Sequence, residues 1–357
     1  VSTSPSPAVI PALDGVRGLA IASVMWFHLA PRQAPGGWMG MSVFFPLSGF
    51  LVTRVMLQQR ARTGRVDVAG FYGRRARRLL PALYVLLIVV LAWSAVSGRW
   101  TTDDLRAALS AVFYVNNWWQ LHHTVDYWAL FRSGASPFEH LWSLSVEEQF
   151  YLVWPLLAWV ATATRRPHRN LAVVAATLSL AGCALGVWLG HRGVSMTGIY
   201  YHTVVRGGEL MAGAALAVVI AAKPALLAHR RAWLEGMAMA TLGGMVIVWC
   251  RLDASAAHFV ARGGMFVTGI GTCIIIAAAL APGILTDWLS CRPLRWLGTR
   301  CYGLYLWHWP VVVLVNERSI DLHGSLLLVV RLALTLAATV PSFWWVEQRF
   351  RPRRPST

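Results

Sequence analysis

Three observations predict an all-α integral membrane protein of about ten transmembrane helices, with both termini cytoplasmic. The 357 residues are 57% apolar or aromatic and only 13% charged, with a mean hydropathy of +0.53, whereas soluble domains carry about 25% charged residues. Apolar runs recur, among them Leu79–Val96, Leu171–Leu189, Met237–Cys250 and Leu326–Val340, each near the roughly 20 residues that span a bilayer. The net charge of +17, from 31 arginines and one lysine, clusters between the apolar runs. That distribution orients membrane helices through an excess of Lys and Arg on the cytoplasmic side, so the charge reads as topology and no nucleic-acid partner is expected. Five cysteines without close pairing indicate neither a disulfide framework nor a metal site.

Taken in order, the first window, Pro11–Ala30, has no basic residue ahead of it and carries Asp14, Arg17 and His28. A cleaved leader needs a basic start and an uncharged centre, so this is a retained helix. Met39–Leu57 follows, then Leu79–Ser97 behind the basic run Arg74–Arg78. Gly98–His140 is long, aromatic and mixed in polarity; its helical stretch ends in Asn116, Asn117, Trp118 and Trp119, which places it outside the bilayer or re-entrant. The remaining windows are Leu144–Thr162, Leu171–Leu189, Gly208–Ala222, Trp233–Cys250, Gly264–Ala281, Thr299–Val315 and Leu326–Trp345. An even number of crossings puts both termini on one side, and the arginine clusters around residues 54–78, 165–169, 292–300 and 349–354 make that side the cytoplasm. The chain divides into a cytoplasmic N-terminal segment 1–10, a membrane domain 11–345 and a basic cytoplasmic tail 346–357.

Ionisable residues inside membrane spans are costly and mark sites. Eleven residues separate Arg17 from His28, which on a helix sets them within roughly 20° of one face and about 16 Å apart. The plainer reading pairs Arg17 with Asp14 at i, i+3 and leaves His28 as an interfacial histidine. The second window carries glycines and serines that let helices approach closely, and Ser48 and Gly49 are placed to line a narrow passage beside the first. In His140–Tyr151, Ser145 and Glu148 have the spacing of a capping box. Glu147 is left to orient His28 or raise its basicity, as a general base requires. Arg75 and Arg78 anchor topology or, sharing a helix face, bind phosphate in bidentate fashion. Tyr302, Tyr305 and Trp309 suit an aromatic belt, His308 is a second intramembrane histidine, and Glu347 with Arg351 reads as a surface ion pair.

Together these residues resemble the acyltransferase-3 family of polytopic membrane O-acyltransferases. The family's motifs match in order: an arginine, ten residues and a histidine at Arg17 and His28; Phe-Phe-x-x-Ser-Gly-Phe at Phe44–Phe50; Arg-x-x-Arg at Arg75 and Arg78; Trp-Ser-Leu-x-x-Glu-x-Gln-Phe-Tyr from Trp142 to Tyr151; Tyr-x-x-Tyr-Leu-Trp-His-Trp-Pro at Tyr302–Pro310; and Val-Glu-x-x-Phe-Arg at Val346–Arg351. Many relatives carry a C-terminal esterase-like domain; this chain is expected to be the single-domain form.

The resemblance implies acyl transfer, commonly of acetyl, from cytoplasmic acyl-CoA as co-substrate to a hydroxyl of an envelope glycan or glycolipid, in the bacterial plasma membrane and without a permanently bound cofactor. Arg75 and Arg78 would hold the CoA phosphates and Ser48, Gly49 and Arg17 the route inward. His28, Arg17 and Glu147 would be the catalytic residues, with His28 the general base, by direct transfer or through an acyl-histidine, and Glu147 orienting His28 or holding the sugar. Trp118, Trp119, Trp142, Tyr305 and His308 would offer apolar faces and polar handles to the acceptor. Two other readings stay open: acylation of a small molecule such as a macrolide, and a polytopic transporter using Arg17, His28 and Glu147 as its path.

Overall fold

A computed structural model describes residues 10–123, 135–225, 227, 231–252, 256–317 and 319–350. Of the expected segment 1–10 and tail 346–357, residues 1–9 and 351–357 lie outside those residues. Among the described residues every regular element is helical: α1 Pro11–Leu29, α2 Met41–Thr63, α3 Val68–Val96, α4 Thr102–Val112, α5 Asn116–His123, α6 Leu141–Thr162, α7 Pro167–His191, α8 Met196–Tyr200, α9 Thr203–Ala222, α10 Arg231–Arg251, α11 Ala257–Ala261, α12 Gly264–Ala278, α13 Ile284–Leu289, α14 Arg292–Thr299, α15 Cys301–Leu314 and α16 Gly324–Pro341, the last continuing through a π-turn at Ser342–Glu347.

Among the described residues, six stretches are long and apolar enough to cross a membrane: Gly37–Thr63, Val68–Val96, Pro167–His191, Thr203–Ala222, Arg231–Arg251 and Gly324–Phe350. The protein is therefore a multi-pass membrane protein, with fewer qualifying spans than the ten expected. All ten windows are helical, but four fall short for physical reasons. Helices α12 and α15 have 15 and 14 residues, below the length of a bilayer core at 1.5 Å per residue. The 19-residue α1 carries Asp14, Arg17 and His28, and the 22-residue α6 carries Glu147, Glu148 and two serines, which lower their apolarity.

Interior packing follows from small residues. Helix α9 packs on α2 and α7, and α1 on α14. A Cβ at Gly49 of α2 would collide with the Leu210 carbonyl oxygen of α9, and one at Gly213 with the Pro46 carbonyl oxygen, so the two backbones touch. A second apolar core joins α3, α4 and α15 through Leu83, Leu86, Ala107, Ala111 and Leu306. Outward faces stay apolar, as on α3 with Ile88, Val89 and Trp93 and on α6 with Leu152 and Val160. In a membrane such faces meet lipid.

The described residues of Gly98–His140 contain two short helices, α4 and α5. Thr101 caps α4 by accepting from the Asp104 N–H at 3.0 Å. The chain then breaks at Tyr114, a non-glycine residue at φ +54°, a strained conformation. Gln149 pins it by donating to the Tyr114 carbonyl at 2.7 Å.

Candidate active site

Helix α1 delivers His28 in its last turn, where it is buried. Its Nδ1 lies 2.9 Å from Nε2 of His308 on α15, and the rings stack at 5.1 Å. The hydrogen bonds assign the tautomers. His308 Nδ1 sits 2.7 Å from the Tyr305 carbonyl oxygen and 3.1 Å from that of Leu304. Carbonyls only accept, so His308 Nδ1 carries the proton and Nε2 of the neutral ring accepts. His28 Nδ1–H therefore donates to His308, which leaves the lone pair of a base on His28 Nε2.

A third histidine joins from α6. Pro310 has no N–H to give the carbonyl four residues back, so the Leu306 carbonyl turns to His140, whose Nε2–H donates to it at 3.1 Å. The Tyr305 hydroxyl donates to the His140 carbonyl, and Ser143 Oγ lies 2.5 Å from that hydroxyl. His28 and His140 line one cavity with Val24, Trp38, Met41, Trp142, Tyr305 and Trp309. Trp309 sets its edge against the His28 ring at 4.8 Å.

A separate charged centre lies toward the other end of α1. Arg17 donates to Asp14 at 2.8 Å. Arg17, Arg78, Glu347 and Glu147 all lie within electrostatic reach of the Cys301 thiol. Glu147 accepts from Ser48 and, at 2.5 Å, from Tyr151. Arg75 donates to Glu148 at 2.9 Å and stacks 3.1 Å above the Tyr151 ring.

Several expected relationships differ. The nitrogen partner of His28 is His308, while Glu147 belongs to the Ser48 and Tyr151 network, seven positions along the chain from the cavity-lining His140. Ser145 makes no capping box, because α6 already begins at Leu141; its hydroxyl donates to the Leu141 carbonyl and accepts from the Asn116 N–H. Glu148 consequently pairs with Arg75. Glu347 is 1% exposed rather than superficial, and Arg351 lies outside the described residues. Gly49 serves the α2–α9 contact, with Ser48 beside it. Of the three tryptophans, Trp142 reaches the cavity. Trp119 stacks on His123 at 3.6 Å, and Trp118 is 38% exposed with its edge on His202.

One further pair is wholly buried. Arg206 of α9 donates through Nη1 to Glu209 at 2.6 Å and to Ser42 at 3.2 Å. Its guanidinium carbon lies 4.7 Å from the Phe45 ring centroid and 5.0 Å from that of Tyr200. Trp142, 4.7 Å from Tyr200, links this pair to the cavity wall.

The family described as "Acyltransferase domain" matches residues 10–347. The chain belongs to this acyltransferase family. Over 96% of its length it is 36% identical to YrhL of Bacillus subtilis, and over 98% it is 33% identical to the peptidoglycan O-acetyltransferase OatA of Listeria monocytogenes and 30% identical to the O-acetyltransferase OatA of Staphylococcus aureus. The chain spans 55–58% of the length of these relatives. No solved structure matches it.

Within this acyltransferase domain, sequence reasoning passed over Arg206, Glu209 and the side chain of His140. The first two carried a usable signal, since an arginine and a glutamate at i, i+3 interrupt an apolar window. His140 carried none, because its partner is a backbone carbonyl 166 residues away.

Proposed function

We propose that this chain transfers an acyl group, acetyl in the first instance, from acyl-CoA on the arginine-rich cytoplasmic face to a hydroxyl of an envelope glycan or glycolipid on the opposite face of the plasma membrane. Residues 11–345 act as one unit in this reading. The observation that carries it is the His28–His308 pair, whose hydrogen bonds leave Nε2 as the unprotonated nitrogen of His28, a residue that lines a cavity walled by aromatic rings. The relatives named as O-acetyltransferases support acetyl as the group, and the one named for peptidoglycan supports a glycan acceptor.

The donor's phosphates meet Arg78 and Arg17 near the inner end of α1, and Ser48 borders the route toward the cavity. Arg75, committed to Glu148, fixes the floor of that route. His28 Nε2 removes the proton from the acceptor hydroxyl as its oxygen attacks the thioester carbonyl. The C–O bond forms, the C–S bond breaks, and the imidazolium returns the proton to the departing thiolate. His308 stabilises the charged ring by accepting from Nδ1–H, while its own Nδ1–H stays on the Tyr305 carbonyl. Arg17, eleven residues down the helix, serves the donor and not the proton.

The test uses sealed vesicles loaded with acetyl-CoA and an acceptor supplied outside. Wild-type protein forms an O-acetyl ester on the external acceptor, and His28→Ala forms none at equal protein level. Ester formation by the variant removes His28 from the chemistry; efflux of an unmodified substrate without ester replaces transfer by transport.

A further inference from the structure

The two imidazoles that line the cavity beside His28 are both held by hydrogen bonds from one of their nitrogens. Four N–H or O–H donors of the cavity's lining residues are already spent: His28 Nδ1 on His308, His140 Nε2 on the Leu306 carbonyl, Trp309 Nε1 on the Ser136 carbonyl at 3.0 Å, and the Tyr305 hydroxyl on the His140 carbonyl. These bonds leave Nε2 of His28 and Nδ1 of His140, two residues that line the cavity, as the nitrogens without a proton. His140 is 3% exposed, and its Nδ1 is a buried polar atom without a hydrogen-bond partner. A buried acceptor left unmatched costs free energy, and such atoms in native structures call for a ligand, a water or a functional role.

We propose that His140 Nδ1 is a second substrate contact. It accepts a hydrogen bond from an O–H or amide N–H next to the hydroxyl that His28 deprotonates. This rests on the acyl-transfer reading above and narrows it. The acceptor must bring two neighbouring donors, as a sugar diol or an amino sugar does. The same α15 turn sets both imidazoles, since Leu304 and Tyr305 fix His308 and Leu306 fixes His140. Losing the contact weakens acceptor binding and leaves donor binding alone.

Two amide replacements separate the two nitrogens of His140. In His140→Asn the amide oxygen takes the place of Nδ1, whereas in His140→Gln the amide N–H takes the place of Nε2 and keeps the bond to Leu306. Purified protein is assayed with acetyl-CoA and muramidase-solubilised peptidoglycan fragments. The expected result is that His140→Gln raises the KM for the fragments by about tenfold, the loss of one hydrogen bond, while His140→Asn stays near wild type and the KM for acetyl-CoA is unchanged in both. A wild-type KM for His140→Gln with an impaired His140→Asn overturns the proposal in favour of a purely bracing role. So does an equal fall in kcat in both with no change in fragment KM.

A second measurement needs no stable Gln variant. On wild-type protein, methylating the O–H beside the acylated hydroxyl raises the KM by a similar factor, and on His140→Ala the methylated and unmethylated acceptors have the same KM. Equal KM values on wild type overturn the proposal. If wild-type protein esterifies none of these acceptors, it is the acyl-transfer reading that falls.

Discussion

His28 and His308 meet through one nitrogen each, 2.9 Å apart, although 280 residues separate them in the chain. The contact decides which nitrogen of His28 carries the proton, and in the proposed reaction this makes His308 a positioning residue. His308→Phe keeps a flat ring against His28 but removes the acceptor from Nδ1–H. We expect kcat to fall by about 10²-fold or more, the range of a general base that loses its orientation, with little change in the KM for acetyl-CoA. Steady-state kinetics of ester formation at matched protein levels checks this, and an unchanged kcat would release His308 from the role.

Arg206 and Glu209 form an ion pair with 0% and 1% exposure. Removing one partner strands the other as an uncompensated buried charge, a cost of about 3–5 kcal/mol. Glu209→Ala is therefore expected to lower the melting temperature in detergent strongly. Replacing both residues with apolar side chains of similar volume, as in Arg206→Met with Glu209→Leu, should recover most of that loss. If the double variant melts no higher than the single one, the pair contributes by more than mutual charge compensation.

Gly49 tests packing against donor binding. A methyl group there collides with the Leu210 carbonyl, and overpacking costs about 1–3 kcal/mol. Gly49→Ala should reduce thermal stability and yield, while the molecules that remain folded keep their KM for acetyl-CoA. A raised donor KM at unchanged melting temperature would instead make Gly49 part of the donor route.

Glu139 stands in the turn ahead of α6, 7% exposed. Burial is the largest influence on its carboxyl and pushes the pKa up to about 8 from an ordinary 4.5. Between those two values the folded protein holds a proton that the unfolded chain has released. This group's contribution to stability therefore declines as pH rises through that window and is level above it. Melting temperatures measured from about pH 5 to about pH 9 should fall for wild type relative to Glu139→Gln; parallel curves would show that the carboxyl does not titrate with folding.

Much of the site was legible in the residues. An arginine and a histidine eleven apart on one helix marked a single polar stripe along α1, and the structure has an imidazole cluster near one end and a charged cluster toward the other. The aromatic run Tyr302–Pro310 predicted a second histidine in the membrane region. What failed were pairings. Glu147 looked unemployed because Ser145 and Glu148 had capping spacing, yet a capping box needs the serine at the helix start, and α6 begins four residues earlier. The count of spans failed on the same ground: apolar windows mark helices, but α1 and α6 spend part of their apolarity on the residues that build the site.

Composition and pattern alone determined that this is a helical membrane protein, which of its segments are helices, and which polar residues lie inside them. These are local properties, set by hydropathy over about twenty residues and by helical periodicity. Tertiary structure alone decided which polar groups meet. Whether His28 faces a glutamate or a histidine depends on how α1, α6 and α15 cross. The choice of basic nitrogen depends on backbone carbonyls of α15, one of which turns to His140 because Pro310 offers it no N–H. Backbone carbonyls have the same chemistry at every residue, so no letter of the sequence marks the ones that orient these imidazoles.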